Sequence, residues 1–116
     1  MLWIAMALML AQPGGTEAPE APGDVEAMQA ASDEWQACTI REAEPMALRT
    51  KEMADVIVTS ALSFCWKEDD RMLVTTQMYL EGQRGSAAGA AEMVRTFKDT
   101  WRVKLVAAII KLRSRQ

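Results

Sequence analysis

Between positions 24 and 113 the apolar residues recur at steps of three and four rather than two, which is the spacing of helices that each bury one face. Val25, Met28, Ala31, Trp35 and Cys38 form the first such face. Asp24 before them has the side chain of an N-cap, and Glu26 lies in the first turn, where the helix dipole favours a carboxylate. Proline lacks an N–H and crowds the preceding turn, so Pro45 is expected to kink or end this helix near Glu44 and to leave Met46 to Arg49 as a loose turn. Thr50 is read as the cap of a second helix, with Glu52 near its positive end and Ala54, Val58, Ala61, Leu62 and Cys65 along one side. Val56, Ile57 and Phe64 widen that apolar surface; the run from Val56 to Thr59 has some strand character, but its length and four-residue spacing favour helix.

A third helix is expected to open at Asp69 and Asp70, to turn Met72, Leu73, Thr76, Tyr79 and Leu80 inward, and to stop at Gly82 as its C-cap glycine. Gly82, Gly85 and Ser86 then connect to the last helix, with Ser86 as its N-cap. Gly85-x-x-x-Gly89 resembles a close-packing signal but reads better as a linker running into a helix start. The last helix has the clearest stripe, Val94, Phe97, Trp101, Leu105, Ala108 and Leu112, and ends in Lys111, Arg113 and Arg115, which suit the negative end of its dipole. No fixed-period repeat or alternating strand pattern appears. The expected fold is therefore all-α, a helical hairpin extended to a small three- or four-helix bundle over residues 24–113.

The N-terminus has a different pattern. Met1 to Ala11 is an unbroken apolar run, followed at once by proline, glycine and acidic residues over 12–23. As a helix the run would cover about 16 Å, roughly half of a bilayer's hydrocarbon core, so it is too short for a spanning anchor. It is read as a signal peptide, with Ala11 supplying a small residue for cleavage although no Lys or Arg precedes it. A first helix packed into the domain is the other reading. Residues 12–23 read as a solvated linker, extended by Pro19 and Pro22.

Composition narrows the chemistry. The 116 residues include no histidine, which removes the commonest general base and metal ligand. Two cysteines cannot build a four-cysteine zinc site. The net charge is only −3, yet residues 17–55 hold ten carboxylates against three bases, while residues 93–116 hold seven bases against Asp99.

The cysteines themselves can be placed. The midpoint between Cys38 and Cys65 falls at Lys51/Glu52, where the second helix is expected to start. Each cysteine then lies about 15 to 20 Å from the turn along antiparallel helices, so the two come side by side on the apolar faces. A disulfide there would stabilise the fold by roughly 3.5 kcal/mol on the chain-entropy model. Two buried free thiols, or one reactive thiol with a resolving partner beside Arg41 or Lys67, are the alternatives; there is no C-x-x-C to favour redox catalysis.

With an apolar leader, a Pro/Ala-rich linker, Trp35-x-x-Cys38, Glu44-Pro45, an alanine-rich helix and Cys65, the chain resembles a loose group of uncharacterised small periplasmic α-helical proteins of alphaproteobacteria, over about residues 1–66. The resemblance implies a periplasmic or secreted location and a disulfide between the paired helices. It brings no activity and no site residues.

Three features invite functional readings. Met28, Met46, Met53, Met72, Met78 and Met93 could suggest Cu(I), but without a tight cluster they read as flexible core filling. Glu68, Asp69 and Asp70 with Glu81 lack the alternating ligands of a Ca²⁺ loop and read as helix N-terminal charge. The last helix carries a surplus: Arg95, Lys98 and Arg102 flank one side of its stripe and Lys104 and Lys111 the other, while Val103, Val106 and Ile110 lie opposite. That surface needs the rest of the domain, a second chain or a membrane to cover it. The candidate contact surface is thus Arg95, Lys98, Arg102, Val103, Val106 and Ile110. The reading is a non-enzymatic exported protein, structural or protein-binding, acting as a homodimer or with a protein partner. The alternative is an envelope-associated protein whose basic helix docks on anionic lipid. No cofactor, metal or nucleic acid is expected.

Overall fold

The structure, a computed structural model, describes residues 25–83 and 85–116; the leader and linker readings fall outside these residues. Four helices follow one another: α1 (Val25–Arg49), α2 (Ala54–Phe64), α3 (Trp66–Gly82) and α4 (Ala87–Ser114). There is no strand among the described residues, and the helices pack into a small bundle. α2 and α3 are separated by the single residue Cys65, whose N–H still donates to the Ala61 carbonyl at 3.1 Å. They act as one bent rod, giving three rods in all.

The cross-rod contacts set the directions. Cys38 joins Cys65 and Glu34 pairs with Arg71, so α1 runs antiparallel to the α2–α3 rod. Thr39 meets Trp101 at a sequence offset of 62, and Ala47 meets Arg113 at an offset of 66, so α1 and α4 run parallel. α1 packs chiefly on α2 and α3, and α4 leans on α3, α1 and α2 in turn.

The core has two parts. At one end Ala43, Ala47, Ile57, Val58, Ala61, Leu105 and Ile109 are buried together. At the other, Ala31, Trp35, Cys38, Cys65, Met72 and Val94 are. Leu62 and Trp101 pack against both and make them continuous. The faces of α2 and α3 centre where the spacing predicts, on Val58, Ala61, Cys65, Met72 and Thr76, while Val56 and Phe64 point to solvent.

Several boundaries differ from the sequence expectation. Pro45 lies inside α1, which continues to Arg49. A mid-helix proline costs about 3 kcal/mol or more. Here Ala43 and Ala47 on either side of it are buried against α2 and α4, and that packing holds the last turn in place. Thr50 does not cap α2. Its hydroxyl donates to the Met46 carbonyl at 2.8 Å and so finishes α1, while the N-cap of α2 is Met53, without a side-chain bond. α3 begins at Trp66, three residues before Asp69, because the chain re-enters helix directly after the bend at Cys65. Gly82 is the last helical residue rather than the cap, which is Gln83. The close approach comes later: Gly85 N–H donates to the Leu80 carbonyl at 2.5 Å, and a Cβ on Gly85 would lie 2.9 Å from Leu80 Cβ. Ser86 does cap α4, its hydroxyl accepting the Gly89 N–H at 3.0 Å. In α4 the inward register is Val94, Leu105 and Ile109, with Ala108 exposed, because the stripe drifts around a long straight helix.

Candidate functional site

Cys38 and Cys65 form a disulfide with Cα atoms 6.1 Å apart, within the range a bridge requires. Both are buried, beside Trp35 and Met72. The Glu68 carboxylate lies within 4.8 Å of both sulfurs, the one cluster among the described residues with metal-ligand types. With the sulfurs joined, no thiolate is left for an ion, and the bridge is a clamp between α1 and the α2–α3 bend.

The seven bases of residues 93–116 divide into two sets. Arg95 pairs with Glu92 one turn back. Lys98 reaches Asp69 on α3 at 2.8 Å, and Arg102 reaches Asp55 on α2 at 2.8 Å and also the Thr59 hydroxyl. Arg113 donates to three carbonyls, Ala47 at 2.9 Å, Thr50 at 2.9 Å and Glu52 at 2.5 Å, and ties the end of α4 to the α1–α2 connection. Lys98, Arg102 and Arg113 tie α4 to the other helices, while the Arg95 pair stays within α4. Lys104, Lys111 and Arg115 make no ion pair among the described residues.

Those three line a groove between the second halves of α1 and α4, a hollow of about 470 Å³. Ile40 and Ala43 of α1 and Trp101, Leu105, Ala108 and Leu112 of α4 supply its apolar walls, and Glu44 is its one acid. Ile40 is 40 % exposed there. The Trp101 ring is set by its N–H, which donates to the Thr39 hydroxyl at 2.8 Å; Thr39 in turn donates to the Gln36 carbonyl. The wall is thus fixed by a bond between the two helices that frame the groove.

A second hollow of about 230 Å³ continues along the same pair of helices toward their N-termini, where Met28, Met72 and Met93 face it with Gln36 and Phe97. Gln36 and Ile40 are one turn apart on α1, as are Phe97 and Trp101 on α4, so the two hollows lie end to end along one α1–α4 seam, the trough. The scattered methionines are therefore partly gathered, Met72 in the core and Met28 and Met93 at the trough's edge.

The residues selected from the sequence occupy different places. Val103, 69 % exposed, and Ile110, 58 % exposed, share the outer side of α4. Val106 is part-buried against the Ile57–Leu105 cluster, because α4 presents it to α2. Arg95, Lys98 and Arg102 are paired as described above. Sequence reasoning missed Ile40, although an isoleucine between polar residues in Cys-Thr-Ile-Arg-Glu was the available signal. It also missed a third hollow at the α2–α3 bend, where Phe64 (66 % exposed) and Trp66 (62 % exposed) flank the disulfide with Arg41 and Lys67.

In chemical terms the trough offers apolar area held on rigid helices, with cations along one rim. No helix among the described residues is long and apolar enough to cross a membrane. No family model, no curated protein and no solved structure matches this chain.

Proposed function

We propose that this chain is a small exported helical protein without catalytic activity, which binds another protein through the trough between α1 and α4, with the disulfide-clamped bundle as its scaffold. The trough is the observation that carries the reading: a solvent-open apolar surface including Ile40, Trp101, Ala108 and Leu112, framed by two helices that the Trp101–Thr39 bond holds in register. Apolar area of this kind with an aromatic at its centre and a polar rim is the make-up of a protein contact surface. Export is supported by the bridge, since disulfides persist mainly in oxidising compartments, and by the Met1 to Ala11 run. The pairing of Lys98 and Arg102 with Asp69 and Asp55 weighs against lipid docking by the basic stripe.

A photo-crosslinking residue at Ala108, in the native host, should give one discrete protein adduct. That adduct should disappear with Ile40→Asp and persist with Ile110→Asp. Adducts from a probe at Val103 but none from Ala108 would place the contact on the outer side of α4 and overturn the assignment to the trough.

A further inference from the structure

The three rods pack pairwise, α1 and α4 each against the α2–α3 rod and against one another. α1 and α4 run parallel, with the open trough between them. Two parallel helices leave a groove along their outer seam, and a groove with an apolar floor is the shape that receives an amphipathic helix. From Met28 to Glu44 the α1 side of the trough extends over about 24 Å, which matches a helix of about sixteen residues.

The charge pattern selects the occupant. Arg95, Lys98, Arg102 and Arg113 are engaged inside the chain, whereas Lys104, Lys111 and Arg115 all line the trough and have no ion-pair partner among the described residues. Lys104, Lys111 and Arg115 stand along one rim, at steps of seven and four, so they present a row of positive charge beside the apolar floor. Glu44 is the single acid opposite them in this half of the trough, and Asp33 lies in the other half, away from the row. The Met1 to Ala11 segment of the chain carries no charge to match that row, and as a helix it would leave its outer side apolar in water.

We infer that the trough receives an acidic amphipathic helix of a partner protein, whose apolar stripe covers Ile40, Trp101 and Ala108 and whose carboxylates face Lys104, Lys111 and Arg115. This rests on the protein-binding reading above and names the partner's chemistry. Met28 and Met93 at the other end add an adaptable surface that tolerates variation in the partner's stripe. The cations raise the encounter rate and exclude basic helices, and so act mainly on selectivity.

The test uses the full chain and three synthetic peptides of one apolar pattern, i, i+4, i+7 and i+11 leucines, with glutamate, lysine or glutamine at the remaining polar positions. The glutamate peptide should bind at least about tenfold more tightly than the lysine peptide, and this difference should shrink as salt rises. In Lys104→Glu/Lys111→Glu the preference should reverse; both side chains are exposed and unpaired, so the helicity should stay the same, with a small fall in melting temperature from a carboxylate in the last turn of α4. Lys104→Gln/Lys111→Gln should abolish the preference without reversing it, and this milder pair keeps the test valid if charge reversal disturbs folding. An equal affinity for the glutamine peptide would overturn the acidic class while leaving a protein-binding trough. Binding of none of the peptides overturns the inference, as does a concentration-dependent dimer that the glutamate peptide does not dissociate. Phosphatidylglycerol vesicles that bind the chain and displace the peptide would also overturn it, in favour of a lipid occupant.

Discussion

Replacing both bridge cysteines, Cys38→Ala/Cys65→Ala, should lower the free energy of unfolding by roughly 3.5 kcal/mol. The loop that the bridge closes spans 27 residues of sequence, and opening it restores that chain entropy to the unfolded state alone. Small domains have total stabilities of about 5 to 15 kcal/mol, so the loss is a large share. Both sulfurs are buried, and their removal also leaves small voids beside Trp35 and Met72. Urea titration of the double variant and of the parent, unreduced, measures the difference. An unchanged midpoint would mean that the cysteines lie in an already rigid contact and that the clamp contributes nothing.

Trp35→Ala should be as damaging, roughly 3 to 5 kcal/mol, because Trp35 is the largest fully buried side chain and its removal leaves a cavity in the core. Its ring meets Phe97 at 5.7 Å between centroids, so one substitution removes the contact that joins α1 to the first half of α4. Trp35→Phe should cost much less than the loss of ring size suggests. The Trp35 indole N–H is buried without a hydrogen-bond partner, a burden that the phenyl ring does not carry. Trp101→Ala falls between these limits: the ring is only part-buried, but its bond to the Thr39 hydroxyl is lost with it. Chemical denaturation of the three variants orders them, and a Trp101→Ala loss exceeding that of Trp35→Ala would contradict this description of the core.

The helices and most of their inward faces were legible because each is a local pattern. The step of three and four at Val94, Leu105 and Cys38, and the serine before α4, act within one or two turns. The pairing of Cys38 with Cys65 was legible for a different reason: equal arm lengths about a turn are geometry that a sequence contains. What was not legible depends on other helices. Pro45 is a helix breaker by its own chemistry, and only the burial of Ala43 and Ala47 between α2 and α4 overrides it. Thr50 has the side chain of a cap for either neighbour, and its bond to Met46 assigns it to α1.

The candidate surface shows the same division. That α4 carries more apolar surface and charge than one face can absorb follows from its sequence. Which cations remain unpaired does not, since it depends on Asp55, Asp69 and the Ala47 carbonyl lying within reach from other helices. The trough itself exists because α1 and α4, separated by the whole α2–α3 rod in sequence, run parallel, and no local pattern specifies that.

The central claim is an exported bundle clamped by one disulfide, and the intact mass of the protein purified without reductant from its native host tests it most directly. After denaturation in iodoacetamide the account predicts a chain lacking Met1 to Ala11, two hydrogens short of the dithiol and carrying no alkyl group. A cytoplasmic product that begins at Met1 and takes up iodoacetamide at both Cys38 and Cys65 would contradict it.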